Sequence, residues 1–279
     1  MLKHKRLYIS ADIEGIAGVV SGQQTTPAGF EYQRACEWMT NEVIAVCDAA
    51  MDCGIEEIVI SDSHGNGQNL LIDRLPKGTQ VVRSWPRPLC MMEGIDQGPF
   101  DAAMLIGYHP GASDARGVLS HTLHGGGITE IRLNGQVASE TLISAATAAH
   151  FNVPVVLVSG DDAYAEHAHK VFDDIEAVTV KWAYSTTSTR TLLPQDACEL
   201  IDQQTRKALN RLSDFQPYPI TQPVTVSVDC VSRKAAELLC FLGMFERTSA
   251  IGVEFVAGDM VEVSKVLSFL LASGSLTPA

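Results

Sequence analysis

The chain contains no long apolar segment and little concentrated positive charge. No uncharged apolar stretch approaches the ~20 residues that cross a bilayer, so we expect no membrane-spanning helix. Lys and Arg number 20 against 33 Asp and Glu, which gives a formal net charge of -13. Because clustered basic residues bind nucleic acids and anionic lipids, this composition argues against both as partners. The apolar run after the basic residues 3–6 is cut short by Asp12 and Glu14, so these residues are not expected to form a signal peptide.

Several short functional motifs are also missing. No C-x-x-C pair occurs among the seven cysteines, and such scattered thiols in apolar surroundings indicate reduced side chains in a cytoplasmic protein. The string H-G-G-G at residues 124–127 is similar to an esterase oxyanion loop, but no G-x-S-x-G nucleophile motif accompanies it. The G-x-G at residues 65–67 lacks the third glycine and the lysine of phosphate-binding loops. Serine-esterase and nucleotide-binding chemistry are therefore disfavoured.

Short apolar runs alternate with segments of helical periodicity over the first two thirds of the chain. Such runs are typical of parallel strands that are buried on both faces. We therefore predict an α/β fold with a three-layer, mostly parallel sheet. The predicted strands lie near residues 7–9, 58–60, 81–82, 102–106, 117–123, 128–133 and 155–158, and the predicted helices span 31–53 and 140–150, the second capped by Ser139.

The last third of the chain differs in character. Prolines 217, 219 and 223 interrupt it, and shorter strands and amphipathic helices follow one another. We predict a second, smaller α/β lobe, with a larger domain at 1–175 and the smaller lobe at 176–279. The helices are expected at 193–212, 232–242 and 259–271, and the strands at 224–228 and 251–256.

The most informative stretch is S-A-D-I-E-G-I-A-G at residues 10–18, directly after the first apolar run. In extended backbone Asp12 and Glu14 point to the same side, so two carboxylates converge at the end of a strand. Like charges at that separation need a proton or a cation between them, which indicates an acid/base pair or a metal site. The alternative is a solvated loop that happens to carry two acids.

Other polar residues follow later strands in the same way. Ligands of open α/β sheets bind outside the carboxyl ends of the strands, where Asp62, His64 and His109 are predicted to lie. Asp62 could orient the His64 imidazole, or it could cap backbone amides together with Ser63. His109 precedes a proline, in extended backbone, and is either a ligand or an ordinary loop histidine.

Glu140 and two later acids occupy predicted helix starts. Glu140 directly follows the capping Ser139, so its carboxylate either complements the helix dipole or binds a ligand. The same helix-start role applies to Asp161 and Asp162. His121 could take part in proton transfer, or it could fill a polar gap beside His124.

Six motifs in order across residues 7–165 resemble the zinc D-aminopeptidase family of metallopeptidases. They are S-A-D-I-E-G-I-A-G, S-D-S-H-G, I-G-Y-H-P-G-A, G-V-L-S-H-T, the glutamate of V-A-S-E, and V-S-G-D-D. The resemblance implies a zinc-dependent aminopeptidase that cleaves short peptides or aminoacyl amides. It also implies a ring-like homo-oligomer, with a decamer as one form, and leaves the preference for D residues open.

The same resemblance implies two zinc ions in each chain, with His121 as the catalytic histidine. Asp12 is expected to bridge the ions. Three carboxylates and two imidazoles suit zinc, and a pair of ions ~3.5 to 4 Å apart can activate water and polarise a peptide carbonyl. The implied ligands are Asp12, Glu14, His64, His109 and Glu140.

Two other functions are compatible with the pattern. A dinuclear-metal phosphoesterase would use similar strand-end ligands, but phosphate esters favour supporting Arg or Lys, and the motifs carry only Arg116. A peptide-binding component of a transporter would also have two α/β lobes. Such a protein is ordinarily exported, and the missing signal peptide argues against it.

Overall fold

The computed structural model describes residues 5–274 and 276. Two β-sheets and the helices packed on them account for most of these residues. The strands are β1 (Arg6–Ala11), β2 (Glu57–Asp62), β3 (Thr79–Val82), β4 (Ala102–Ile106), β5 (Ile128–Leu133), β6 (Gln136–Val137), β7 (Val155–Asp161), β8 (Glu176–Ser185), β9 (Ser188–Thr191), β10 (Val224–Cys230), β11 (Glu246–Arg247) and β12 (Gly252–Ala257). The α-helices are α1 (Gly22–Thr25), α2 (Tyr32–Asp52), α3 (Glu140–His150), α4 (Asp162–Val171), α5 (Pro194–Asn210), α6 (Arg233–Cys240) and α7 (Met260–Ala272).

The larger sheet has seven strands in the order β3-β2-β1-β4-β7-β8-β9. All neighbours are parallel except β8 and β9, which are antiparallel. Alternate residues of β1 enter different cores, as the two-residue period of a strand requires. Ile9 packs with Met39 of α2 and Ile201 of α5, whereas Tyr8 packs with Ala145 of α3 and Ala168 of α4. Helices therefore cover both faces, and the predicted three-layer α/β architecture is confirmed.

The smaller sheet is antiparallel, with the order β11-β12-β10-β5-β6. Its core includes Ile131 of β5, Val226 of β10 and Leu267 of α7. Helix α3 contributes to this core through Leu142 and to the core of the larger sheet through Ala145. The helix that begins at Glu140 is thus clamped between the two sheets.

Strand pairing crosses the boundary predicted near residue 175. Strands β5 and β6 precede that position but belong to the smaller sheet, while β8, β9 and helix α5 follow it and complete the larger one. The sequence analysis did not anticipate β8 and β9. Each sheet is assembled from separate parts of the chain, because the hydrogen-bonded partner of a strand is chosen by long-range pairing that local patterning does not encode.

The strand predicted at residues 117–123 does not form. This segment is a loop in which Leu119 and Leu123 adopt positive φ angles of 55° and 59°. A residue with a left-handed backbone cannot continue an extended strand. The strand prediction for this segment was therefore wrong. Among the described residues, no helix has the length and apolar character needed to span a bilayer.

Candidate metal centre

Four of the predicted site residues meet at one edge of the larger sheet. Asp12 follows β1 directly, His64 lies two residues beyond β2, and His109 three residues beyond β4. His64 Nδ1 lies 3.2 Å from Asp12 Oδ1, and His109 Nε2 lies 3.5 Å from Asp12 Oδ2. Glu140, the first residue of α3, places Oε2 3.4 Å from His109 Nε2. The carboxyl ends of parallel strands bring these side chains together, as the position of ligand sites in such sheets predicts.

Glu14 joins this cluster through the loop that follows β1. Its Oε2 lies 3.0 Å from His64 Nδ1, and the side chain is buried beside that of Asp12. The two carboxylates therefore converge, as the D-I-E spacing predicts. Gly15 lets the loop pass close to the backbone of Tyr108, because a Cβ atom at this position would collide with the carbonyl oxygen of Tyr108.

The cluster contains buried polar atoms that lack hydrogen-bond partners. Among the described residues, neither Glu14 Oε2 nor His109 Nε2 has one. The ligand-type atoms form two sets, and within each set all atoms lie within 4.8 Å of one another. Both sets include His109. One set adds Asp12 and Glu14, the other His121 and Glu140. Carboxylate oxygens and imidazole nitrogens that are buried without hydrogen-bond partners are suitable ligand atoms for a transition metal such as zinc.

Backbone carbonyls orient the two imidazoles of the cluster. His64 Nε2 lies 2.7 Å from the carbonyl oxygen of Thr25, and His109 Nδ1 lies 2.9 Å from that of Pro110. Since a carbonyl accepts a hydrogen bond, the proton belongs on the nitrogen that faces it. In each neutral ring the other nitrogen then points its lone pair at carboxylate oxygens. This is how outer partners prepare a histidine to bind a metal.

Asp62 takes the second of the two roles considered for it and does not orient His64. Asp62 accepts hydrogen bonds from the backbone amides of Asn69 and Leu70 at 2.6 and 2.8 Å, and from the Asn69 side chain at 2.7 Å. Its carboxylate therefore caps backbone amides, which is the alternative interpretation of this motif. The side chains of Asp62 and His64 diverge because β2 ends at Asp62 and the chain turns before His64.

The buried charges alter one another's proton affinity. Burial and the adjacent Glu14 carboxylate raise the pKa of Asp12 to about 7. Burial also acts to raise the pKa of Glu14, but the neighbouring His64 outweighs it and holds the pKa well below its usual value. For His109, burial favours the neutral ring, yet Glu140 and Asp12 raise the pKa to about 10. The buried carboxylates of Asp12, Glu14 and Glu140 thus favour a positive charge beside them, either a protonated imidazole or a bound cation.

A buried lysine fixes the loop that carries Asp12 and Glu14. The Lys181 ammonium, on β8, donates to the carbonyl oxygens of Glu14, Ile16 and Val19, the last two at 3.1 and 2.6 Å. Burial lowers the pKa of Lys181 to about 8. The sequence analysis missed this residue, although a single lysine in the β-branched run V-T-V-K-W was a signal that could have found it.

Arg87 performs a similar task for the loop that carries His64. Its guanidinium donates to the carbonyl oxygens of Ser84 and Asp62, the latter at 2.8 Å, and to the Ser61 hydroxyl at 3.0 Å. Although it is buried, no ion pair with a carboxylate is recorded for it among the described residues. The sequence analysis did not single out Arg87, because an isolated arginine between two prolines carries no local signal.

His121 lies on the loop between β4 and β5, at the edge of the cluster. Its Nδ1 is 2.9 Å from the carbonyl oxygen of Leu119, and its Nε2 is 3.8 Å from Glu140 Oε1. The ring stacks on that of His109, with centroids 4.3 Å apart and planes inclined by 13°. With 28% of its side chain exposed, His121 is more accessible than the other members of the cluster.

Two further acids hold the surrounding backbone. Asp161 accepts hydrogen bonds from the amides of Val118 and Tyr164, both at 2.7 Å, so it caps α4 and also anchors the loop of His121. Asp162 accepts one from the amide of Ala183 at 2.8 Å. Neither belongs to the described groups of metal-ligand atoms, in keeping with the helix-start interpretation.

A cavity of about 570 Å³ opens beside the cluster. Asp12, His64, His121 and Glu140 line it, so the site is reachable from solvent. Volumes of roughly 300 to 1,000 Å³ are usual for small-molecule sites. The rest of the lining comes from Ser63, Gly65, Asn66, Gln68, Ser84, Trp85, Pro86, Met91, Leu123, His124, Ser268, Leu271 and Ala272.

Comparison with known proteins agrees with this geometry. The family model described as D-aminopeptidase matches residues 5–269. The chain belongs to the D-aminopeptidase family. A curated D-aminopeptidase of Bacillus subtilis (strain 168) is 29% identical over 264 residues, which cover 94% of this chain and 95% of that protein. Family membership confirms the predicted enzyme class, a metallo-aminopeptidase.

A solved structure extends the likeness to the whole fold of the D-aminopeptidase family. It is described as the Zn-dependent D-aminopeptidase DppA from Bacillus subtilis, a self-compartmentalizing protease. The TM-score is 0.92 at 26% identity, and the match covers 98% of this chain and 99% of the other. The likeness therefore includes the smaller sheet and its helices. It favours a peptidase over the phosphoesterase and the transporter component considered as alternatives.

Proposed function

We propose that this chain is a zinc-dependent aminopeptidase that hydrolyses short peptides or aminoacyl amides at a centre of two metal ions. The observation that carries the proposal is a set of five ligand-type side chains, four of them buried and His64 partly buried, in which imidazole nitrogens lie 3.0 to 3.5 Å from carboxylate oxygens. The zinc dependence of the DppA structure supports the choice of metal. The names of both relatives support a preference for D residues.

Asp12 is proposed to bridge the two ions. Its Oδ1 faces His64 and its Oδ2 faces His109, so the two oxygens point toward different halves of the cluster. Glu14 lies in the half of His64, and Glu140 in that of His109. His109 can serve only one ion, because Pro110 occupies its other nitrogen. A carboxylate whose two oxygens face different imidazoles is therefore the natural shared ligand.

When bound, the ions would polarise the scissile carbonyl and make water a stronger acid. We assign proton transfer to His121, whose Nδ1 proton is directed at the Leu119 carbonyl and whose Nε2 is free to accept a proton from water and return it to the leaving amine. Direct attack by the imidazole is an alternative use of the same nitrogen. The accessibility of this ring at the cavity wall supports the assignment.

Oligomerisation is proposed from the relative rather than from a surface of this chain. The DppA structure is described as self-compartmentalizing, and the fold agreement with it is extensive. We infer a homo-oligomer, with a decameric ring as its form and short peptides as its substrates, in the cytoplasm. Sedimentation velocity at micromolar concentration checks this inference, and a monomer would contradict it.

Metal analysis paired with a substrate panel tests the proposed function. Purified protein is expected to carry about two zinc ions per chain and to hydrolyse aminoacyl amides, including D enantiomers, in a chelator-sensitive manner. The panel contains L- and D-aminoacyl amides, short peptides and one phosphate ester. Metal-free protein with undiminished activity would refute the metal mechanism, and hydrolysis of the phosphate ester alone would refute the substrate class.

A further inference from the structure

One wall of the cavity is apolar, and four separate segments build it. Trp85 and Met91 come from the connection between β3 and β4, Leu123 from the loop of His121, and Leu271 from the last turn of α7. Helix α7, which packs on the smaller sheet, thus supplies part of a cavity whose ligand-type residues lie at the edge of the larger sheet. Apolar side chains gathered beside a few polar groups are the usual composition of a pocket that recognises a small molecule.

This apolar wall begins directly at the metal-binding cluster. The amide of Leu123 donates a hydrogen bond to Glu140 Oε1 at 2.7 Å. The carbonyl of Met91 accepts one from the hydroxyl of Ser63 at 2.9 Å, and Ser63 precedes His64 in the chain. Two of the four apolar residues are therefore joined through a single hydrogen bond to a proposed ligand or to its neighbour.

Leu123 combines an unusual backbone conformation with a place on the cavity wall. Its φ of 59° is left-handed, a conformation that is unfavourable for a non-glycine residue because its Cβ approaches the following carbonyl oxygen. Glycine would adopt it without that cost, and three glycines follow at 125–127. A leucine kept in this conformation, with its side chain lining the cavity, is typical of strain retained at a functional site.

The polar part of the lining offers no fixed positive charge. In the part of the chain that the structure describes, no Lys or Arg lines the cavity, and beyond the metal-binding cluster and His124 the polar lining consists of hydroxyls and amides. A charged side chain of a substrate would lose its hydration there without gaining a partner. An apolar side chain would instead gain the free energy of burial against the apolar wall.

We propose that Trp85, Met91, Leu123 and Leu271 form the pocket for the side chain of the substrate's N-terminal residue, and that this pocket selects large apolar residues such as leucine and phenylalanine. The inference rests on the proposed aminopeptidase function. An aminopeptidase substrate has nothing before its N-terminal residue, so the side chain of that residue is the part that lies beside the reacting carbonyl. The wall nearest the ligand-type residues is therefore the one it meets.

Leu271 is the residue to change, because it lines the cavity from α7, a helix that carries none of the proposed metal ligands. The zinc-loaded variants Leu271→Ala and Leu271→Trp are assayed with alanyl, leucyl and phenylalanyl amides in both enantiomers. The constant amide leaving group isolates the side chain. The wild-type protein is expected to favour leucyl or phenylalanyl over alanyl amide by on the order of 10-fold or more in kcat/KM. Leu271→Trp should reduce that ratio about tenfold, and Leu271→Ala should shift it toward phenylalanyl amide.

Phe269→Ala is the matched control. Phe269 lies on the same helix and is 51% exposed, but it does not line the cavity, so its removal should leave the preference unchanged. If either Leu271 variant fails to fold, Leu123→Ala replaces it and should lower the leucyl-to-alanyl ratio. Bound zinc and thermal midpoints are measured for every variant.

The possible outcomes separate this inference from the proposed function. A wild-type preference for alanyl amide, or equal ratios in wild type and both Leu271 variants, would overturn the pocket while leaving the aminopeptidase intact. A ratio that moves equally in Phe269→Ala would also overturn it. No turnover of any amide by zinc-loaded protein would refute the proposed function, and the pocket with it.

Discussion

At the scale of single residues, Asp12 is the side chain that joins the two halves of the candidate metal cluster. It lies within 3.5 Å of both buried imidazoles, through different oxygens. Removing it takes one ligand from each proposed ion, whereas removing Glu14 takes a ligand from only one. Bridging and terminal ligands should therefore be distinguishable by how much metal each variant retains.

The Asp12→Ala variant is expected to lose both zinc ions and all measurable turnover. Glu14→Ala should keep about one ion, because the half formed by His109 and Glu140 remains complete. Elemental analysis after dialysis against zinc-free buffer provides the measurement. A fully metallated Asp12→Ala protein would rule out the bridging role.

His121→Ala should keep its zinc and its fold but lose turnover on the order of 10²-fold or more, the usual scale for a general acid or base. Kinetics and elemental analysis on the same preparation check this. His124→Ala is the comparison, since His124 lines the same cavity without belonging to the described groups of ligand-type atoms, and its loss should be much smaller. If His121→Ala loses metal, the residue is a ligand, and near-normal turnover would contradict the catalytic assignment.

Glu42 gives stability a pH dependence. This carboxyl of α2 is buried, accepts the amide of Ala17 at 2.9 Å, and has its pKa raised by burial from 4.5 to about 7. The folded protein therefore binds the proton more tightly than the unfolded chain, so stability is lost as the pH rises from 4.5 through 7. Glu42→Gln removes this loss. The variant should gain on the order of 3 kcal/mol over wild type between those pH values.

Urea denaturation of metal-free protein at pH 5 and pH 7.5 measures the effect of Glu42→Gln. Metal is removed because zinc affinity itself depends on pH. Glu37→Gln, an exposed position on the same helix, is the control and should show no pH-dependent difference from wild type. An equal free energy of unfolding for Glu42→Gln and wild type at both pH values would show that burial does not perturb this carboxyl.

At the scale of elements, a buried cation adds to the hydrogen bonds that the loop after β1 makes through its own amides. Lys181 supplies three donors to three carbonyl oxygens of residues 14–19, and it reaches them from β8. Loops usually carry functional residues on a rigid scaffold, and here a lysine connects the two. The position of Glu14 should therefore depend on a residue far away in the sequence.

Lys181→Met is expected to weaken zinc binding by roughly 10- to 100-fold, the range found when groups that orient metal ligands are removed. The three carbonyls lose their donors, so thermal stability should also fall. Competition with a zinc chelator measures the affinity. Lys207→Met provides the control, because Lys207 is 60% exposed and its ion pair with Glu176 lies away from the acidic loop. Unchanged zinc affinity in Lys181→Met would show that the loop holds its shape without the lysine.

Helix α3 fixes the position of Glu140 relative to the larger sheet. Ser139 caps its first turn by accepting the amide of Leu142, and both cores clamp its body. Glu140 at its start is thereby fixed relative to the strand ends that carry Asp12 and His109. The helix-dipole interpretation of Glu140 and its proposed ligand role are compatible, since a carboxylate in the first turn can satisfy both.

At the scale of the whole molecule, the proposed ions offset a concentration of negative charge. The chain has a formal net charge of -13, and three of its carboxylates are buried in one cluster. A cation that binds only the folded state stabilises it in proportion to the logarithm of its concentration over Kd. The metal centre should therefore be a stabilising element as well as a reactive one.

Chelation of zinc is expected to lower the thermal midpoint by on the order of 5 °C or more, because about 3 kcal/mol of linkage is lost at a hundredfold excess over Kd. Differential scanning calorimetry with and without chelator gives the shift. Asp12→Ala is the control, since it should hold no metal and show no shift. An unchanged midpoint in the wild-type protein would contradict tight binding to the folded state.

Local patterning in the sequence determined much of the larger sheet and its ligand-type residues. Apolar runs bounded by polar residues predicted β1, β2, β4 and β7, since burial on both faces leaves a mark in a short segment. The partly exposed edge strand β3 was predicted from its two valines. The convergence of Asp12 with His64 and His109 followed from a general rule, that the ends of parallel strands share one edge. The meeting of these side chains could thus be anticipated without knowing which strands are neighbours, whereas the ligand roles of His64, His109 and Glu140 were implied only by the resemblance to the D-aminopeptidase family.

The tertiary structure alone decided the remaining features. It paired β5 with β10 in a second, antiparallel sheet and turned the segment of His121 into a loop. It also assigned Thr25 rather than Asp62 to orient His64 and brought Lys181 against the acidic loop. These are contacts between residues 39 to 167 positions apart, or backbone conformations that such contacts enforce. Local sequence records which side chains must be buried, but the choice of partner for a carbonyl, a ring nitrogen or a strand edge depends on the packing of the whole chain.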